Sequence, residues 1–499
     1  MSSENGGQAG DVAFTLAVSG LGPSAFHVVD FTGEEQLNGD YLFRMTLLSR
    51  QNRLKPKDLI GRDASFVLES RREGPVVRVP YHGMIGEFGV YRQVFEQTEY
   101  RATLVPRIST LGLSEHSEVY TLEKDVPGIL EEVLKEAGFT SQDYQFKIVD
   151  GGRQRSFVCQ YRETSRQFLD RWVEREGIVY YFDHSGEKER VIFYDQPHQK
   201  PAWTKTLTYR PPGDPDIGFS DDSLIEFHET ARPVHGKVVV QDFNYRKANL
   251  DIREEAVLDP RAETLLQEYG DNLRTNADAK RRVKLLSEML RCRGQTFSGT
   301  SSAIEIRAGT TIQVKGHFRE EMNASFFVVR TRLEGTMKAP LAGTDSAPGQ
   351  SRFTTYFDAL LSEVPFRPER RTPWPRIPGV VQAVIEAEGS GTFAELNEYG
   401  EYKLRFPFAL TKRKTQKGSG WVRLSTPLAG ADNGIHFPLR KDTEVLVAFL
   451  GGDPDQPVIV GSMANSEGRN LVSNQNPQVN LIKSAGGHFI AFNDGNLGR

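Results

Sequence analysis

Apolar and polar residues alternate along most of this chain in short runs broken by Gly, Asn and Pro. "FTLAVSG" (14–20) and "YLFRMTLLS" (41–49) keep a period of two, the spacing of a strand with one buried face. Between them, "FTGEEQLNGD" (31–40) holds the Gly and Asn of turns. "ASFVLES", "VVRVPYHGMIGEF" and "EYRATLVP" continue the pattern, which predicts a β-rich, barrel-like first domain, because closure removes sheet edges. The period then changes. "DVPGILEEVLKEAGF" places Ile129, Val133, Leu134 and Ala137 on one helical face, with Asp125 as cap and Gly138 as stop. "TSRQFLDRWVEREGI" predicts a second helix carrying Phe168, Leu169, Trp172 and Val173 and ending at Gly177. It leads into a hairpin, "GIVYYFDHSGEKERVIFYD", with "HSGEKER" as its turn. A third helix is expected over Ala279–Arg291, followed by strands in "AIEIRAGTTIQVKG" and "ASFFVVRTRLEG".

"VPFRPERRTPWPRIPGVV" marks the clearest boundary. Pro365, Pro368, Pro373, Pro375 and Pro378 stiffen an extended linker and cannot continue a sheet. Beyond it, "GVVQAVIEA", "EYKLRFPF", "GWVRLST", "TEVLVAFL" and "PVIVGS" predict the five strands of a small OB-type Greek-key barrel. A polar neck, "NSEGRNLVSNQNPQVN", precedes the closing stretch "KSAGGHFIAFNDGNLGR", in which Phe489–Phe492 form an apolar run and Asn493–Asp494–Gly495 a turn signal. Short strands with repeated turns suggest a solenoid rung, expected to be the least ordered part of a lone chain. The fold class is therefore mainly β with helical insertions (α+β). The expected divisions are residues 1–370 as two barrel-like units with helices, 371–378 as linker, 379–465 as the OB barrel, and 466–499 as neck and first spike strands.

Composition narrows the function. With 62 Lys+Arg against 66 Asp+Glu, the 499-residue chain lacks the basic surplus of a dedicated nucleic-acid binder. The 46 Gly, 30 Phe and 16 Tyr fit a β-rich protein. No cleavable signal peptide and no apolar run of membrane-spanning length is visible, which predicts synthesis in the cytoplasm. Cys159 and Cys292 are expected to be two buried free thiols.

Catalytic signatures are missing: no H-E-x-x-H, G-x-S-x-G or P-loop occurs. His184 reads as a solvated turn residue and His488 as a rung side chain. Asp453 and Asp455 in "GGDPDQP" resemble a calcium loop only faintly, since Gly and Pro on both sides make a tight connection. Glu131 and Glu132 read as a solvated helix face. Glu386 and Glu388 alternate on a strand without a partner carboxylate. "TKRKTQKG" lies where an OB barrel has a loop, and a protein contact or solvent suits it better than nucleic acid. No catalytic, cofactor-binding or metal-binding residue is assigned, no cofactor is expected, and an enzyme is not.

At this point the residues resemble a known family. "ETSRQFLDRWVEREGIVYYFDHSGEKERVIFYD" is similar to the helix–hairpin of VgrG, the spike protein of the bacterial type VI secretion system. "FTGEEQLNGDYLFRMTLLS", "HGMIGEFG" and "YRATLVPRISTLGL" resemble that family's first barrel. "PGVVQAVIEAEG", "EYGEYKLRFPF" and "GSGWVRLSTPLAGADNGIHFPLRKDTEVLVAFLGGDPDQPVIVGSMAN" resemble its OB-type domain. Two departures are local: Phe406–Pro407–Phe408 where the family often has an aromatic–Asp pair, and Leu428 where it often has Trp. The resemblance implies a phage-hub-like homotrimer that caps the tube of Hcp protein within the baseplate and begins a triangular β-helix after the OB domain. It also implies a PAAR-type tip protein, effector cargo, transient membrane contact and delivery to the extracellular space or a target cell. The alternatives are a phage-like spike with a hydrolase beyond residue 499 and an OB-based polysaccharide or nucleic-acid binder.

Overall fold

The computed structural model describes residues 12–495, apart from 72–74, 122–123, 212, 214–222, 338–350, 388–390 and 411–418. The "TKRKTQKG" loop, Glu388 and the last four residues therefore lie outside the described residues. Two compact units result. One comprises Met1–Leu113, Leu130–Gly152 and Leu169–Thr372; the other comprises Ser114–Ile129, Arg153–Phe168 and Pro373–Arg499.

A twelve-stranded sheet dominates the first unit. Its spatial order is Val12–Val18, Asp63–Ser70, Val77–Val94, Gln97–Val105, Leu42–Ser49, His27–Gln36, Ser325–Thr336, Thr311–Lys315, Thr204–Tyr209, Ser223–Ala231, Gln295–Ser301 and Arg352–Leu361. Ser325–Thr336 pairs with Arg352–Leu361 as well, so the last six strands close into a ring. One strand thus serves both halves. Its start pairs with Thr311–Gln313 and its end with Asp30–Gln36. A register shift between Val328 and Arg330 separates the two parts, since an extra residue bends and twists a strand.

Aromatic side chains fill the first half. Phe31 meets Phe14 and Phe66 edge-on, each at 4.8 Å between ring centroids, and all three are buried. Gly335 passes directly beneath them. A Cβ there would lie 2.2 Å from the Phe31 ring and 2.7 Å from that of Phe14. The closed ring packs Leu207, Phe227, Phe297, Ile312, Phe326 and Phe357 inside it. Ala303–Ile306, expected as strand, is buried coil. Ala303 and Ile306 fill the ring interior without joining the sheet.

The helices follow their caps. In α1 (Val126–Glu136), Asp125 Oδ1 accepts the Gly128 N–H at 3.0 Å, and Gly138 takes the left-handed φ of +82° that follows a helix end. Its buried face carries Ile129, Leu130, Val133 and Leu134, whereas Ala137 is exposed, contrary to the expected stripe. α2 (Ser165–Glu176) buries Phe168, Leu169, Trp172 and Val173 and stops at Gly177, φ +67°. α3 (Asn276–Gly294) starts earlier and ends later than expected. Its cap is Thr275, whose hydroxyl accepts the Asp278 N–H at 3.1 Å while the Asp278 carboxylate accepts the Thr275 N–H. It packs Ala279, Val283 and Leu286 on a three-stranded sheet of Lys237–Asp242, Ile252–Val257 and Leu265–Tyr269. The expected hairpin forms between Val179–Asp183 and Arg190–Tyr194.

The second unit holds the five expected strands in the order Lys403–Arg405, Val380–Glu386, Glu444–Phe449, Pro457–Ser462 and Arg423–Leu424. A bridge between Tyr402 and Val422 links the two outer strands and closes the barrel. Its core includes Ile385, Tyr402, Leu404, Val445 and Ile459, and also Val119, Phe157 and Cys159 from far earlier in the chain. Those three come from the pair Glu115–Tyr120 and Val158–Thr164 and the residue just before it.

Candidate functional site

The terminal hairpin is the part of the second unit least able to stand alone. Val479–Lys483 pairs antiparallel with Phe489–Asn493, Ile482 opposite Ile490 and Asn480 opposite Phe492. Strand side chains alternate in direction, so Ile482, Ile490 and Phe492 share one face, and Leu481, Phe489 and Ala491 share the other. Gly487 supplies the positive φ of the turn, and the Ser484 N–H donates to the His488 carbonyl at 2.7 Å. Ile482 is 53%, Phe489 66%, Ile490 59% and Phe492 64% exposed. Apolar side chains therefore face solvent on both sides of a two-stranded sheet, which by itself is marginally stable in water. The neck before it replaces sheet hydrogen bonds with Asn turns. Asn465 accepts the Gly468 N–H at 2.8 Å, and Asn476 accepts the Ser473 N–H at 2.8 Å. Residues 427–438 of the OB barrel are also exposed throughout, with Leu428, Ile435 and Phe437 at the surface.

"GGDPDQP" is a tight connection, as its Gly and Pro imply: Gly451 and Gly452 both take positive φ. Sequence reasoning missed the work of its two aspartates, which are buried. Asp453 accepts the Trp374 indole N–H at 3.0 Å and the Gln456 amide at 2.9 Å. Asp455 accepts the backbone N–H of Cys159 at 2.6 Å, tying the early segment to the barrel. The only advance signal was a pair of acidic residues in a turn too short to solvate both.

His184 is the clear correction. It was expected in solvent, yet it is 1% exposed. It packs among Tyr41, Tyr81 and Phe182, and its Nδ1 accepts the His82 N–H at 2.9 Å. The two ends of the hairpin loop, His184 and Glu189, pack onto the barrel, while Ser185–Lys188 between them stay exposed. Burial, then the nearby Arg307, holds its pKa well below that of a free imidazole. Two carboxylates lie in the same region. Glu189 is bonded by the Tyr41 hydroxyl and the Arg107 N–H, and burial pushes its pKa up to about 8. Glu35 accepts the Ala308 N–H at 3.3 Å, and burial raises it to about 7 against the pull of Arg307.

A second, partly buried charge cluster was not foreseen either, with Arg175 and Arg282 as its buried members. Asp271 pairs with Arg175 at 3.0 Å and Arg282 at 2.5 Å, and Glu268 pairs with Arg370 at 2.7 Å. Burial opposes the charge on Asp271, but the arginines outweigh it and hold its pKa far below the carboxylate range.

The remaining candidates stay apart. Glu131 pairs with Lys135 at 3.1 Å on a half-exposed helix face, and Glu386 lies on an OB strand. His488 is exposed at the hairpin turn, its N–H bonded to Ser484 Oγ. Cys159 and Cys292 are buried thiols not joined in a disulfide, as expected. Among the described residues no group of three or more His, Cys, Asp or Glu is placed to hold a metal ion, and no helix is long and apolar enough to cross a membrane.

Residues 34–339 match the model of the phage tail baseplate hub (GPD) family, and residues 397–463 match the type VI secretion system/phage-baseplate injector OB domain. The type VI secretion system spike protein VgrG3 of Vibrio cholerae is 26% identical over 464 residues, covering 90% of this chain and 44% of its own length. The actin cross-linking toxin VgrG1 of Vibrio cholerae is 28% identical over 471 residues, covering 90% of this chain and 41% of its own. The spike protein VgrG1b of Pseudomonas aeruginosa is 26% identical, covering 90% of this chain and 60% of its own. The chain thus spans less than two thirds of each of these relatives. Among solved structures, the E. coli c3393 protein aligns over 90% of this chain and 99% of its own, with a TM-score of 0.65 and 19% identity. It is described as a component of the type VI secretion system, structurally similar to the T4 bacteriophage tail proteins gp27 and gp5. The Francisella PdpA–VgrG complex aligns over 98% of this chain and 76% of the other, with a TM-score of 0.61 and 11% identity. At such identities the likeness is one of fold, and it bears out the hub-plus-OB reading of the sequence.

Proposed function

Because the chain belongs to the phage tail baseplate hub family, with an injector-type OB domain attached, we propose that three copies form the spike of a contractile injection machine. The observation that carries this reading is the terminal hairpin, apolar and exposed on both faces. Such a surface needs neighbours, and strands from two further chains supply both apolar contact and backbone partners. The first unit supports the same reading. Its sheet makes two barrel-like halves joined by one shared strand, so three chains present six similar halves, a match for a sixfold tube. In this role the chain caps the Hcp tube within the baseplate, carries effectors with a PAAR-type protein at the tip, punctures the target membrane and leaves the cell. The work is mechanical, and no chemistry is assigned to its residues. The test is the molar mass in solution by light scattering. Three chains per particle are expected, and a single-chain mass at tens of micromolar protein would refute the assembly.

A further inference from the structure

Two acceptors crowd one donor in the first unit. The hydroxyl oxygen of Tyr41 lies within hydrogen-bond distance of both the His82 carbonyl oxygen and Glu189 Oε2. A phenol has one proton, and a carbonyl oxygen has none. The phenol proton can serve both acceptors only as a bent, shared bond, whereas a second proton on Glu189 makes each contact a full hydrogen bond. In that form Glu189 Oε2–H donates to Tyr41 and Tyr41 donates to the His82 carbonyl, while Glu189 Oε1 accepts the Arg107 N–H. The series continues, since the His82 N–H donates to His184 Nδ1 at 2.9 Å, which requires a ring whose proton is on Nε2. We infer that Glu189 is a proton-binding site of the folded protein, and that its proton fastens the loop His184–Glu189 to the barrel.

The surroundings agree. Glu189, Tyr41 and His184 are buried, and among the described residues Glu189 takes from Arg107 only the backbone N–H, since the Arg107 guanidinium pairs with Asp143 instead. Asp40 faces it and repels a second negative charge, while Arg107 attracts one more weakly than burial opposes it. On the far side of Tyr41 and Tyr81 lie Glu35 and Arg307, whose guanidinium stacks on the Tyr81 ring at 4.3 Å. His82 is held below the ordinary imidazole range, since burial and then Arg307 disfavour its charged form. The Glu189 pKa is raised from 4.5 to about 8, so folding takes up a proton between those values. Stability from this site is complete at the acid end of that window and falls as pH rises through it.

The test is hydrogen exchange of the full chain, read on peptides covering Val179–Tyr194 and corrected for the intrinsic exchange rate. The opening constant should rise about tenfold per pH unit for each proton released between the two pKa values. Glu189→Gln still donates to Tyr41 and accepts from Arg107 but titrates no proton, so one factor of ten per unit should vanish. Glu35→Gln should retain that factor. Equal pH slopes in wild type and Glu189→Gln overturn the inference. Where Glu189→Gln does not fold, the Glu35→Gln protein decides. Its infrared spectrum should show a neutral carboxylic acid near neutral pH that disappears in alkali, and a spectrum with no such band overturns the inference equally.

Discussion

Replacing Ile482, Phe489, Ile490 and Phe492 together by Ser should abolish self-association without unfolding the single chain. Each of these side chains is more than half exposed, between 53% and 66%. Together their exposed parts equal about two and a half whole apolar side chains, and burying one stabilises by roughly 1.5–3 kcal/mol. The hairpin therefore offers roughly 4–7 kcal/mol per chain to an assembly, before the ordering of the hairpin itself is subtracted. Loss of only ~1.4 kcal/mol per chain would lower a three-chain association constant about a thousandfold. The same substitutions remove no buried contact from the isolated chain, and surface changes of this kind usually stay within about 0.5 kcal/mol. Sedimentation equilibrium over a concentration series reads the association. Thermal unfolding reads the fold, at a concentration where wild type is dissociated, because assembly itself raises Tm. The wild-type mass should climb toward three chains while the variant stays at one, with equal Tm values. A variant that associates like wild type would refute the reasoning. So would a Tm lower by several degrees, because it would mean that these side chains already pack against their own chain.

Asp271→Asn should destabilise the first unit by roughly 1–3 kcal/mol in calorimetry, since Arg175 and Arg282 lose their shared carboxylate while Arg282 keeps Glu268 at 3.5 Å. The Asp271 pKa is depressed in the folded protein, so its contribution is present above the ordinary Asp value of 3.8 and lost as acid protonates it, and acid unfolding of wild type should reflect this. Gly335→Ala forces a methyl group against the Phe31 and Phe14 rings, which are themselves packed, and should cost about 1–3 kcal/mol by denaturant titration. Asp455→Ala removes the acceptor of the buried Cys159 N–H, and should lower the stability of the second unit by about 1–3 kcal/mol while hydrogen exchange in the first stays unchanged.

Much of the architecture was legible because it rests on local rules. The five OB strands, the capped helices α1 and α2 and the aromatic hairpin appear where their periodicity and Gly stops put them. The failures share one cause. Ala303–Ile306 alternates like a strand but meets no sheet, because Ala303 and Ile306 face a barrel interior built by segments far along the chain. Ala137 has helical spacing for the buried face, yet it lies past Glu136, the last helical residue, and is exposed. The Cys159 region joined the OB core although more than two hundred residues separate it from Val380, and no composition shift announces such a return.

By itself, the sequence determined the periods, the caps and the turn residues, and through its motifs the hub and OB families, because these depend on neighbours a few positions away. Only the tertiary structure decided which polar groups lost their water. His184 follows a strand and precedes Ser–Gly, and nothing local distinguishes it from a solvated turn residue. It is buried because Tyr41, Tyr81 and His82, brought in from distant strands, close over it. Glu189 binds its proton for the same reason: desolvation depends on everything packed around a carboxylate, and the chain assembles that environment from segments that never meet in sequence.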